Sequence, residues 1–254
     1  MAGEAIGLYF ERPLRFTAAA RLQEALVDAR HRGEIPDTIL FLEHTPVVTL
    51  GRRGRTRFLL RPAEHLRAIG IDVECASRGG DVTYHAPGQL VIYPILRLAP
   101  RTGASHTFLW NLEELAIRTA ASYGISAYRR EGKNGAWTDA GKLAAIGFHL
   151  KRWVVMHGMS FNVNLDLTGF SYIVGCGLVG EKVTSLAELL GPRCPRVSDV
   201  RDQMARHFSD IFETRLSCFQ AFEAPDPVVS GLLRSALNCS TGLQTANGAA
   251  AGPE

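Results

Sequence analysis

Two apolar runs of nine residues, 142–150 and 154–162, lie close together in the chain and constrain its fold more than any other stretch. Ile146, Phe148, Val154, Val155 and Phe161 are the β-branched and aromatic types that suit a pleated surface, so the pair is predicted as a β-hairpin turned at Lys151 and Arg152. The hairpin is read as scaffold, with chemistry at its ends. Gly141-Lys142-Leu143 opens it, and the loop that follows carries Gly175-Cys176-Gly177.

The rest of the chain supplies alternating strand and helix signals. Strands are predicted at 5–10, 38–43, 46–50, 72–76, 91–96, 126–128 and 135–138, and helices at 17–32, 62–69, 107–123, 185–190 and 198–214. Phe108, Leu112, Leu115 and Thr119 recur at helical spacing and are read as core. Residues 1–222 are expected to form one domain, since 254 residues with 46% hydrophobic content can bury a full core. Residues 223–254, rich in Pro, Ala, Gly, Ser and Thr, are expected to be a largely disordered tail.

Charge and cysteine usage narrow the class. A net charge of +3, without basic residues interleaved with aromatics, argues against nucleic acid. The five cysteines contain no C-x-x-C pair, which argues against zinc and a disulfide framework, and no metal or cofactor is expected. No apolar run approaches the roughly 20 residues of a membrane span, and the N-terminus lacks a signal-like apolar core, so a cytoplasmic protein is expected. One cluster stands out: Gly51 to Arg57 holds four arginines, enough to attract an acidic partner or a phosphate.

Two further stretches carry polar chemistry. In the run from Arg78 to Leu90, Gly79 and Gly80 let backbone approach a ligand closely, while Arg78 and His85 supply polar contacts. Cys176 differs from Cys75, Cys194, Cys218 and Cys239, which read as small buried hydrophobes, because its flanking glycines let the chain turn sharply and bring N–H groups toward an oxyanion.

With these motifs laid out, the sequence resembles the lipoyl(octanoyl) transferase family over roughly residues 38–214. The likeness rests on Phe41-Leu-Glu-His-Thr-Pro-Val-Val-Thr-Leu-Gly51, Arg78-Gly-Gly-Asp-Val-Thr-Tyr-His85 with Pro87-Gly-Gln-Leu90, Gly141-Lys-Leu-Ala-Ala-Ile-Gly147, His157-Gly-Met-Ser-Phe-Asn162 and Cys176-Gly177. It departs from the family's usual pattern at Ala86, where glycine is common, and at Gly175, where proline is common.

The resemblance implies an α+β fold of mixed sheets flanked by helices, like the catalytic domain of biotin and lipoate protein ligases. It implies a monomer that moves an octanoyl group from octanoyl-acyl carrier protein to a lysine of lipoyl domains, in 2-oxoacid dehydrogenase subunits and the glycine-cleavage H protein, as the first step of de novo lipoylation. Cys176 matches the acyl-thioester cysteine and Lys142 its partner. Arg78, Gly79, Gly80, Asp81, Val82, Thr83, Tyr84 and His85, with Ala145, Ile146, Gly147, Gly158, Met159 and Ser160, match the acyl-binding segments. The pairing is physically sound. A thiol of pKa roughly 8.5 needs about 2 kcal/mol to reach 7, and an ammonium at roughly 4 Å provides about 4 kcal/mol before desolvation. An ATP-dependent lipoate or biotin ligase, an octanoyl amidotransferase of the same fold, and a lipoyl-domain binding module without catalysis are the alternatives.

Overall fold

The computed structural model describes residues 3–54, 56–175 and 180–222. The chain runs β1 (Gly3–Phe10), α1 (Phe16–Arg32), β2 (Asp37–Leu42), β3 (Val47–Leu50), α2 (Ala63–Ala68), β4 (Asp72–Cys75), β5 (Val82–His85), β6 (Gln89–Ile95) and α3 (Ala104–Ala121). It continues β7 (Tyr128–Arg130), β8 (Lys133–Thr138), β9 (Gly141–Lys151), β10 (Val154–Asn162), α4 (Leu186–Leu190), α5 (Val197–Ile211) and β11 (Thr214–Phe222). An eight-stranded sheet has the order β11-β1-β2-β6-β10-β9-β8-β7, and a second sheet the order β4-β3-β5. The architecture is α+β with mixed sheets.

Side-chain alternation explains the layering. Ile39 and Phe41 of β2, with Leu90 and Ile92 of β6, pack with Leu112 and Leu115 of α3 and Met204 and Phe208 of α5. Leu40 and Leu42, with Val91, Tyr93 and Ile95, face the other way onto Leu22 and Leu26 of α1. Both sheet faces are thus covered, and a strand covered on both faces reads as an unbroken apolar run, as Thr38-Ile-Leu-Phe-Leu42 does. α1 is also the crossover that makes β1 and β2 parallel, a pairing that no short turn can produce.

The central hairpin forms in register, Val154 opposite Lys151 and Phe161 opposite Ala144. Its turn falls on Arg152 and Trp153, at φ 52° and 67°, one residue later than expected. α5 ends at Ile211, not Thr214, and the chain then forms β11 parallel to β1. No local signal marks that strand, because its partner lies about two hundred residues earlier. β5 was also not foreseen; it pairs antiparallel with β3. Cys75 is a correction: it ends an edge strand and is exposed, not buried. Residues 223–254 lie outside the described residues. No helix among the described residues is long and apolar enough to cross a membrane.

Candidate active site

Lys142 is the second residue of β9 and stands directly opposite Trp137 of β8. Cross-strand partners share a face, and Lys142 Nζ lies 5.1 Å from the centroid of the fully buried Trp137 ring. A cation over an indole face is stabilised by about 0.5–2 kcal/mol, more as water is excluded, and Lys142 is only 8% exposed. Gly135 makes room for it. At φ +120°, a Cβ there would overlap the Ala144 carbonyl oxygen and lie 2.8 Å from Lys142 Cε.

The backbone after the cysteine loop is fastened to the same point. Lys142 N–H donates to Lys182 O at 2.8 Å, and Thr184 N–H donates to Lys142 O at 3.0 Å. Before the loop, Val174 N–H donates to Phe58 O at 2.8 Å. Gly175 and Gly180, which flank the loop, both line a cavity of about 720 Å³ together with Lys142 and Trp137. That volume suits a small-molecule or acyl ligand. A side chain at Gly175 would meet nothing within 4 Å, so space does not demand glycine there. Cys176 itself lies outside the described residues.

A buried chain of polar groups forms another wall. His85 Nδ1–H donates to Gln89 Oε1 at 2.6 Å, Gln89 Nε2 to Asn162 Oδ1 at 2.8 Å, and Asn162 Nδ2 to Thr184 O at 2.9 Å. Thr184 Oγ1 then donates to Glu188 Oε2 at 2.9 Å. Nearer the rim, Lys133 and Arg130 hold the Glu181 carboxyl below the usual carboxylate range. Gln89, Asn162, Glu181 and Glu188 all line the cavity, and none was singled out as a site residue from the sequence.

Past Thr83, Ala145 and Ser160, which line both spaces, the cavity narrows into a deeper void of about 40 Å³. Arg78, Gly79, Gly80, Asp81 and His85 line it from one side, and Ile146, Gly147, Gly158 and Met159 from the other. Twelve of the fourteen expected acyl-binding residues therefore surround one void. Val82 and Tyr84 do not. Strand alternation turns them to the opposite side of β5, where both are buried in a separate apolar cluster and Tyr84 meets Phe170 edge-on at 5.5 Å.

Arg78 is built in. Its Nη2 donates to Thr49 O and Oγ1, each at 2.7 Å, and its Nη1 to Gly79 O at 3.0 Å. The arginine loop is laced to the same segment: Gly51 N–H donates to Asp81 O at 2.8 Å, Arg52 N–H to Arg78 O at 3.0 Å and Arg53 N–H to Gly80 O at 3.2 Å. Arg52 and Arg53 project into a separate groove with His106 and His149, while Arg55 lies outside the described residues.

His44, His85 and His157 cluster beneath the void. His44 lies 5.5 Å from His85, and the His157 ring stacks on Phe16 at 6.3 Å. Burial pushes His44 down to about 4; burial, then the Arg78 charge, pushes His157 down to about 3. Burial, then His44, holds His85 well below the usual imidazole range. Such imidazoles stay neutral and are weak proton acceptors near neutral pH, unlike a base tuned to the working pH. Among the described residues no cluster of His, Cys, Asp or Glu could hold a metal ion.

The chain thus combines a mixed sheet flanked by helices with a lysine-bearing cavity at one end of its central hairpin. The family model for the lipoyl protein ligase A/B catalytic domain matches residues 16–209. Two solved structures share the fold: a lipoate-protein ligase A bound with ATP (TM-score 0.66, 14% identity, 92% of this chain and 95% of that one) and a bi-partite lipoate protein ligase from Thermoplasma acidophilum (TM-score 0.63, 17% identity, 93% and 92%). Octanoyltransferases are much nearer in sequence. That of Syntrophotalea carbinolica is 45% identical over 205 residues, covering 81% of this chain and 93% of the relative. That of Geobacter metallireducens is 44% identical over 210 residues, covering 83% and 95%. The chain belongs to the lipoyl protein ligase A/B catalytic-domain family and, within it, to the octanoyltransferases.

Proposed function

We propose that this octanoyltransferase takes its octanoyl group from acyl carrier protein, holds it as a thioester on Cys176, and passes it to a lysine of lipoyl domains. One observation carries the reading. Buried Lys142 and the two glycines that flank the cysteine loop line a single cavity, and Cys176 is covalently attached to one of those glycines. The dehydrogenase and H-protein lipoyl domains are the acceptors of this reading, and the enzyme works as a monomer.

The steps balance with one lysine. The Cys176 thiolate attacks the donor carbonyl, the carbon–sulfur bond to the carrier breaks, and the carrier thiolate leaves and takes its proton from solvent; Lys142, its partner anion consumed, gives up its own proton to solvent. The thioester needs no further activation. The acceptor amine then attacks the acyl-Cys176 carbonyl, neutral Lys142 takes the amine proton, and the carbon–sulfur bond breaks to restore the thiolate–ammonium pair. The void that Thr83, Ala145 and Ser160 share with the cavity receives the far end of the chain in this reading.

Intact-protein mass spectrometry after incubation with octanoyl-acyl carrier protein, without ATP, tests it. One octanoyl mass should map to Cys176 and vanish in Cys176→Ser; equal labelling of Cys75 or Cys194, or a requirement for ATP, would sink it. Single-turnover measurements on Lys142→Arg extend the test, because arginine keeps the charge but does not release a proton. The variant should still load Cys176, while transfer to the lipoyl domain falls by a factor on the order of 100. An equal decline of both steps would make Lys142 a positioning charge only.

A further inference from the structure

Asn162 is the last residue of β10, lines the Lys142 cavity and is 4% exposed. Its amide has only one workable orientation. Thr184 O can only accept, so the Asn162 atom 2.9 Å from it is Nδ2, and Oδ1 faces Gln89 Nε2 at 2.8 Å. Gln89 is set the same way: its Nε2 lies 3.4 Å from Tyr84 O, and its Oε1 receives the Nδ1–H of His85. The two amides are thus oriented by two backbone carbonyls that can only accept, Thr184 O and Tyr84 O.

A primary amide nitrogen has two N–H bonds, and Thr184 O takes one. No other acceptor for Asn162 Nδ2 is found among the described residues. The second N–H belongs to a pre-oriented, nearly dry amide on the wall that also bears Lys142 and Gly175. A donor held rigidly where carbonyl charge develops costs no reorganisation when the reaction occurs, and it acts in a medium of low dielectric.

We propose that Asn162 is a catalytic residue whose free Nδ2–H donates to the acyl carbonyl oxygen as it becomes the tetrahedral oxyanion, both when Cys176 is loaded and when the amine displaces it; this rests on the Cys176 reading above. The bond carries no proton transfer. It forms as sulfur or nitrogen adds to the carbonyl carbon and relaxes when the carbon–sulfur bond breaks.

Asn162→Asp retains shape and removes the N–H. Its rate constants for both half-reactions should fall by roughly 100- to 1,000-fold, with KM for the octanoyl donor changed by less than about 3-fold. Octyl trifluoromethyl ketone, which adds to the cysteine as a tetrahedral hemithioketal, should bind more weakly by a similar factor, while octanoate binding holds. A merely structural role would weaken both ligands alike. If the aspartate variant does not fold, the isosteric pair Asn162→Thr and Asn162→Val decides, because only threonine offers a donor and it should be faster by at least about 10-fold. Equal rates in that pair, or unaltered ketone binding in Asn162→Asp, would overturn the proposal while wild type still loads Cys176. A wild type that acquires no octanoyl on Cys176 would overturn both the reading and the proposal.

Discussion

At the scale of single residues, His44 and His157, with His85, shape how the protein meets acid, and the first two show the size of the effect. Both remain neutral in the fold, with pKa pushed to about 4 and about 3, while an imidazole in the unfolded chain titrates near 6.5. Between those values the unfolded chain holds more protons, so stability is full above about pH 6.5 and falls as pH drops toward 3 to 4. At pH 5 each histidine should cost about 2 kcal/mol relative to pH 7.5, measurable as a lower urea midpoint. His85, also held well below the usual imidazole range, adds to this, so His157→Gln should remove about a third of the acid sensitivity of the three imidazoles; an unchanged pH dependence would show that His157 does not contribute to it. His157 is also strained, at φ 57°, with its N–H donating to Gln23 Oε1 at 2.7 Å. Nothing in the sequence around residue 157 announces that conformation, because the contact comes from α1, 134 residues earlier.

At the scale of elements, the central hairpin was legible from β-branched and aromatic composition alone, and its turn was displaced by one residue for a physical reason. A two-residue connection that follows strand twist needs φ > 0 at both positions, and the chain places arginine and tryptophan there, not the Asn-Gly that marks such turns. Trp153 is 43% exposed, so more than half of its surface is covered and its packing offsets its backbone cost. Arg152→Asn alone should therefore stabilise the protein, by about 0.5 kcal/mol, and raise Tm by about 1–2 °C. A fall in Tm would show that the arginine side chain makes contacts that outweigh the backbone gain. β11 and β5 were missed because each is defined by a distant partner, and pairing with distant strands leaves little trace in a local window.

At the scale of the whole molecule, we propose that the arginine loop acts through its field. Arg52 and Arg53 are exposed beside a groove, and Arg53 makes a distant ion pair, 3.7 Å from Asp81. If the proposed carrier and lipoyl-domain partners present acidic surfaces, such a patch raises encounter rates and is screened by salt. Arg52→Glu with Arg53→Glu should lower kcat/KM for the carrier-protein donor about 10-fold at low ionic strength and leave a small octanoyl thioester unaffected. An equal loss with both donors would assign the loop to the cavity wall instead, consistent with its lacing to Arg78, Gly80 and Asp81.

The pairing of Lys142 with Cys176 came only through the family resemblance; the sequence by itself determined the motif order, the central hairpin and the helical core positions. These rest on local periodicity and on residue types whose chemistry is intrinsic, and a short window carries both. Tertiary structure alone decided which of the motif residues share a void, and it turned Val82 and Tyr84 away from it because adjacent strand residues face opposite sides. It also set Trp137 opposite Lys142 through strand register, and it locked Asn162 between Gln89 and the Thr184 carbonyl. Each of those is a contact between segments distant in the chain or offset across a sheet. Its energy depends on a geometry that exists only once the strands are paired.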